Sequence, residues 1–176
     1  MDMSEKINVM FTEEDIAVRI QDMADKINKE FEGQSIKMVI ILKGASFFGC
    51  DLAKRIEVPM TIDFMSCSSY GDGTKSSGEV KIVKDLSDSI IDENVIVIED
   101  IVDSGRTLSA LIEILKGRGA KCVKLGAFLS KPSRRVIDVD IDYLGYEIED
   151  KFVVGYGLDY AQKYRNLPYI GEIEFI

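Results

Sequence analysis

Seven residues within one short stretch combine the groups needed to hold both an anion and a cation: Glu99, Asp100, Asp103, Ser104, Gly105, Arg106 and Thr107. They follow the apolar run Val95-Ile96-Val97-Ile98 and precede a helical pattern with Leu108, Leu111, Ile112 and Leu115 on one face. Backbone N–H groups at a helix start are unpaired and carry partial positive charge, so Asp103 to Thr107 form a cradle suited to a terminal phosphate. Gly105 permits close backbone approach or a positive φ. Three carboxylates beside a phosphate repel it, unless a divalent cation lies between them or the acids face polyol hydroxyls instead. Both arrangements describe a sugar phosphate. An isolated Asp103 is ordinarily a helix cap, and an isolated Glu99-Asp100 a solvated strand end. Their coincidence with Gly105 and two hydroxyls after a buried strand favours the chemical reading.

The composition narrows the chemistry. There is no histidine, which excludes Ser-His-Asp triads, Cys-His dyads and His-ligated zinc. A general base must then be a carboxylate, Lys, Tyr or a group on the substrate. A metal would take oxygen ligands, as magnesium, calcium or manganese do. The net charge of -9 opposes contact with nucleic acid or an anionic membrane. No apolar run approaches the roughly 20 residues of a membrane span, and Met1 to Lys6 lack the apolar core of a signal peptide. Cys50, Cys67 and Cys122 are odd in number and widely spaced, which fits reduced thiols in a cytoplasm. Gly73-Thr74-Lys75-Ser76 lacks the Gly that a P-loop needs before Lys, and no GxGxxG opens a helix after a strand.

Positioning these groups requires a scaffold. Thr12-Glu13-Glu14-Asp15 starts a helix carrying Ile16, Ile20, Met23, Ile27 and Phe31, ended by Gly33. Met38 to Leu42 reads as a strand buried on both faces. Lys43-Gly44 follows, then a helix over about Ser46 to Arg55. Thr61 to Ser66 and Val80 to Val83 read as strands, separated by a polar, Gly-rich loop from Ser68 to Gly78. After the central strand and its helix, Cys122 to Leu129 is another strand leading into Lys131-Pro132. Ile141 to Ile148 and Phe152 to Gly157 are short C-terminal strands. The alternation predicts an α/β fold, a parallel twisted sheet flanked by helices, in a single domain spanning residues 1–176. Ligands of such sheets bind beyond the carboxyl ends of the strands, where Lys43-Gly44, Glu99 to Thr107 and Lys131 all fall.

At these residues the chain resembles the phosphoribosyltransferases: apolar strand, two acids, two apolar residues, then Asp-Ser-Gly-Arg-Thr at 103–107. Leu42-Lys43-Gly44, Ser69-Tyr70, Lys131-Pro132, the block from Asp150 to Tyr160 and Arg165 are similar to the hypoxanthine-guanine branch of that family. The resemblance runs in order from about Phe11 to Ile170. Ala45 stands where many members carry a second Gly.

The resemblance implies the type I phosphoribosyltransferase fold with a small hood from the C-terminal strands. It implies transfer of a phosphoribosyl group from phosphoribosyl pyrophosphate to a 6-oxopurine, with Mg2+ as cofactor, in a cytoplasmic homodimer or homotetramer. By matching position, Ser104, Gly105, Arg106 and Thr107 would hold the 5′-phosphate. Glu99 and Asp100 would engage the ribose hydroxyls directly and through magnesium, and Asp103 would manage the proton on N7 of the purine. Lys43, Gly44 and Arg165 would meet pyrophosphate, with a cis peptide often found at the lysine. Asp159 would help hold a second magnesium and, through its backbone, the base. Lys131 would donate to the 6-oxo group, Phe152 would stack on the base, and Val153 would read its edge. Ser69 and Tyr70 would ride on a loop that closes over the reaction. The competing readings are a xanthine-preferring enzyme and a non-catalytic sensor of phosphoribosyl pyrophosphate.

Overall fold

The apolar runs at Met38 and Val95 become the two central strands of a six-stranded sheet. The computed structural model describes residues 5–69 and 80–175. In chain order the elements are β1 (Glu5–Phe11), α1 (Glu13–Glu30), β2 (Ile36–Ile41), α2 (Ser46–Ala53), β3 (Met60–Ser69), β4 (Val80–Lys84), β5 (Asn94–Val102), α3 (Arg106–Gly117), β6 (Cys122–Ser130), a 3-10 turn at Pro132–Arg134, β7 (Tyr143–Glu147), β8 (Val153–Val154) and β9 (Ile170–Phe175).

The main sheet has the order β4-β3-β2-β5-β6-β7. All its neighbours run parallel except β3 and β4. Successive side chains on a strand point to opposite faces, and this divides the core in two. Met38 and Ile40 of β2, with Ile96 and Ile98 of β5, pack beneath α1 and α2 against Ile20, Met23, Phe48 and Leu52. Val39, Val95 and Val97 face the other way, against Leu108, Leu111 and Leu115 of α3. Each fully buried aliphatic or aromatic side chain contributes about 1.5–3 kcal/mol by leaving water. Thr12 and Asp15 close a reciprocal capping box at the start of α1, with N–H···O distances of 3.2 and 3.0 Å.

Several boundaries differ from the sequence reading. The stretch Ile141 to Ile148 does not enter the hood; its central residues form β7, which pairs parallel with β6 in the main sheet. The hood is the antiparallel sheet β1-β9-β8, so the N-terminal segment supplies one of its strands. The sequence reading has no strand at Glu5–Phe11 or Ile170–Phe175. Glu5 pairs with Phe175, and local periodicity carries no information about so distant a partner. Helix α2 stops at Ala53, short of Arg55. Ser68 and Ser69 end β3 and are not loop residues. Tyr70 and the remainder of the Gly-rich stretch to residue 79 lie outside the described residues. Among the described residues no helix is long and apolar enough to cross a membrane.

Strand β2 has β3 on one side and β5 on the other. The chain therefore reverses its winding between β2 and β5, and a crevice opens beyond their carboxyl ends.

Candidate active site

At this crevice β2 gives way to a cis peptide between Leu42 and Lys43. The turn brings the Gly44 backbone against the Asp100 carboxylate, leaving no room for a Cβ. Gly157, at φ +98°, packs against the Gly44 carbonyl and likewise has no space for a side chain. Arg165 fixes this junction: its NH1 donates to the Gly157 carbonyl at 2.6 Å and its NH2 pairs with Asp159 Oδ1 at 2.7 Å. Asp159 Oδ2 accepts from the backbone N–H of Gln162 at 2.8 Å. Lys43 Nζ lies 3.4 Å from Gln162 Oε1. The loop after β2, the end of β5 and the hood loop thus meet around Lys43, Gly44, Asp159 and Arg165. Gln162, which the sequence reading does not single out, links two of them.

Glu99 and Asp100 lie within β5 itself, which runs on to Val102, and not in the loop beyond it. Consecutive strand positions send them to different clefts: Glu99 lines the one beside Ser104–Thr107 and Asp100 the one beneath the hood. Burial, reinforced by the adjacent negative charge of Asp100, pushes the Glu99 carboxyl well above its usual range. Burial also raises Asp100, opposed by its interaction with Glu99, by the Ile101 N–H at 2.7 Å and by the charge of Arg165. Among the described residues no three acidic, thiol or imidazole side chains are placed to hold one metal ion together.

Helix α3 begins at Gly105, whose φ of +80° makes it the N-cap; Asp103 does not cap the helix, and no side chain caps its N-terminus. The Ile137 carbonyl occupies the space a Cβ on Gly105 would need. Val136 and Ile137 donate their N–H groups to the Ser104 carbonyl at 3.0 and 3.1 Å. The segment after the 3-10 turn thus braces the loop from behind. Glu99, Asp103, Ser104, Gly105 and Thr107 line a cleft of about 170 Å³, while Arg106 is exposed.

A second cleft, of about 250 Å³, is lined by Asp100, Ile101, Asp103, Lys131, Phe152, Val153, Leu158 and Asp159. Asp103 belongs to both clefts. Lys131 sits beside it because the Lys131 N–H donates to the Val102 carbonyl at 2.9 Å. Lys131 is buried and directs Nζ to Asp150 Oδ1 at 3.4 Å. Phe152 is 49% exposed at this cleft, with Tyr160 edge-on at 5.6 Å between ring centroids. Arg134 reaches Asp103 Oδ1 with Nε at 2.7 Å and Asp150 Oδ2 with NH1 at 3.2 Å. The sequence reading does not name Arg134 and gives Asp150 no role beyond opening the 150–160 block, since single charges in Lys-Pro-Ser-Arg-Arg and Glu-Asp-Lys look like solvated surface. The larger clefts around Asp138–Asp140 include none of the predicted site residues.

The profile of the phosphoribosyl transferase domain matches residues 10–161. A bifunctional TilS/HprT protein of Listeria monocytogenes is 50% identical over 163 residues, which are 93% of this chain and 25% of that protein. The chain therefore spans about a quarter of that relative's length. The hypoxanthine-guanine phosphoribosyltransferase of Bacillus subtilis is 46% identical over 166 residues, covering 94% of this chain and 92% of the relative. A crystal structure of a hypoxanthine phosphoribosyltransferase from Staphylococcus aureus superposes with a TM-score of 0.92 at 44% identity, covering 98% and 92% of the two chains. With the family profile matching residues 10–161 and the Bacillus subtilis and Staphylococcus aureus relatives each covered along 92% of their length, the chain belongs to the phosphoribosyltransferase family, in its hypoxanthine-guanine branch.

Proposed function

We propose that the chain transfers the 5-phosphoribosyl group of phosphoribosyl pyrophosphate to hypoxanthine or guanine, giving IMP or GMP and pyrophosphate, in purine salvage. The observation that carries this reading is the shared wall: Asp103 and Lys131 stand side by side in one cleft, and Asp103 also borders the phosphate loop. A 6-oxopurine presents N7 and the 6-oxo group on one edge. Lys131 donates to the oxygen, and Asp103 accepts the N7 proton. The N9 lone pair forms the bond to C1′ of the ribose as the bond from C1′ to pyrophosphate breaks, its electrons leaving with pyrophosphate. Adenine fails at Lys131, because its 6-amino group offers a donor where an acceptor is required.

The remaining residues position these atoms. The N–H groups of Ser104 to Thr107 and the two hydroxyls hold the 5′-phosphate. Phe152 stacks on the base and Val153 reads its edge with backbone groups. Lys43, the Gly44 backbone and Arg165 face pyrophosphate. Glu99 and Asp100 are oxygen donors that suit a magnesium ion: adjacent, half-buried carboxylates that each open to a cleft, the Glu99 carboxyl pushed up by burial and by the Asp100 charge. Bound magnesium supplies charge stabilisation for the leaving pyrophosphate. Asp159, whose Oδ1 pairs with Arg165 at 2.7 Å, would help hold a second such ion beside the guanidinium that faces pyrophosphate.

The same reading places the protein in the cytoplasm, in keeping with its three free cysteines, with residues 1–176 as one domain and a homodimer or homotetramer as the assembly. The test is nucleotide formation from phosphoribosyl pyrophosphate with hypoxanthine, guanine, xanthine and adenine, with magnesium or with EDTA. Magnesium-dependent turnover of hypoxanthine or guanine, and none of adenine, supports the proposal. Binding of phosphoribosyl pyrophosphate without turnover of any base contradicts it and favours a sensor.

A further inference from the structure

We propose that Arg134 is a positioning residue that sets the distance between the proton acceptor Asp103 and the base-recognising Lys131; this rests on the function proposed above. Four charges alternate beside the base cleft, which Asp103 and Lys131 line and Arg134 and Asp150 flank. Asp103 Oδ1 pairs with Arg134 Nε at 2.7 Å, Arg134 NH1 with Asp150 Oδ2 at 3.2 Å, and Asp150 Oδ1 with Lys131 Nζ at 3.4 Å.

The backbone closes this chain of charges into a ring. Lys131 N–H donates to the Val102 carbonyl at 2.9 Å, next to Asp103, and Arg134 N–H donates to the Lys131 carbonyl at 3.1 Å. The 3-10 turn Pro132–Arg134 thus starts at the base-recognising residue and returns a guanidinium to the proton acceptor.

The position of each charge has a consequence. An exposed ion pair ordinarily contributes little, and Arg134 is half exposed. Its fork, however, joins carboxylates from two separate segments, which a single ammonium does not match. It holds Asp103 by Oδ1 alone, leaving Oδ2 for the N7 proton. Asp150, held by the other arm, draws the Lys131 ammonium along the wall. Without Arg134, Lys131 and Asp103 carry opposite charges on adjacent segments with nothing between them. Their direct pairing would occupy the acceptor and the donor that a 6-oxopurine requires together. The Arg134 side chain forms its hydrogen bonds and ion pairs with Asp103 and Asp150 and none with Ser104–Thr107 among the described residues, so binding of phosphoribosyl pyrophosphate is separable from this arrangement.

The test is steady-state kinetics with hypoxanthine for the wild type, Arg134→Ala, Asp103→Asn and the double variant, with thermal melting of each to establish folding. The expected result is a kcat lowered about tenfold by Arg134→Ala, with KM for phosphoribosyl pyrophosphate within about twofold of wild type. In the Asp103→Asn background, Arg134→Ala costs less than about twofold further, since the group it positions is gone. A folded Arg134→Ala with wild-type kcat overturns the proposal. So do losses that multiply in the double variant, or a KM for phosphoribosyl pyrophosphate that rises in step with the loss of kcat. A wild type that forms no nucleotide refutes the proposed function itself, an outcome distinct from these.

Discussion

The Gly44 backbone rests directly on the carboxylate of Asp100. This contact joins the loop after β2 to the end of β5 at the one place where the sheet reverses its winding. It also fixes what the site tolerates: the Asp100 carboxylate fills the space that a Cβ on Gly44 would need.

Gly44→Ala should therefore displace the Asp100 carboxylate. A shift of about 1 Å in such a site costs on the order of 100-fold in rate. The loss should appear in kcat/KM for phosphoribosyl pyrophosphate, while thermal melting changes much less. An alanine variant with wild-type kinetics would show that the contact is incidental.

Asp103→Asn retains the size and much of the polarity of the side chain but removes its ability to take a proton. Turnover with hypoxanthine should fall about 100-fold or more, the lower range for general acid–base catalysis, with little change in nucleotide affinity. Comparable turnover in the two proteins would place the proton elsewhere.

Much of this arrangement was legible in the sequence, for identifiable reasons. The phosphate loop is local: strand, carboxylates, Gly105 and helix lie in one continuous stretch, so spacing alone predicts it. The buried strands β2 and β5 announce themselves as unbroken apolar runs, because both of their faces are covered. Strands β1 and β9 are different. They are short, lie in a small sheet, and pair ends of the chain that no local pattern connects. The same limit hid the pairing of Arg134 with Asp103 and Asp150. Arg134 is an ordinary surface charge in sequence, and the turn after β6 is what carries it to these two carboxylates.

Lys131→Ala should weaken hypoxanthine binding and reduce discrimination against adenine, because the donor to the 6-oxo group is lost and Asp150 is left without one partner. A hydrogen bond to a charged group contributes about 1.5–3 kcal/mol, or roughly 10- to 150-fold in KM for the base. Competition between hypoxanthine and adenine measures it directly; unaltered kinetics with both bases would reject the role.

Away from the cleft, Glu30 ties α1 to the main sheet. It accepts from the Tyr143 hydroxyl at 2.5 Å and pairs with Lys124 at 2.9 Å. The Tyr143 hydrogen bond, and then Lys124, hold its carboxyl below the usual 4.5. A lowered folded-state pKa means stability that is present above 4.5 and lost as the pH falls through the folded value. The difference in melting temperature between wild type and Glu30→Gln should therefore be largest above pH 4.5 and close in acid. Because Glu30 is 41% exposed, the difference should be modest and should shrink in high salt. A gap that widens on acidification would contradict this account.

The most direct test of the whole arrangement is a crystal structure with IMP, pyrophosphate and magnesium bound. The account predicts the 5′-phosphate on the N–H groups of Ser104 to Thr107, the 6-oxo group within hydrogen-bond distance of Lys131 Nζ, N7 facing Asp103, and the purine ring against Phe152. A nucleotide seated in another cleft, or one whose phosphate lies away from the 104–107 loop, would contradict it.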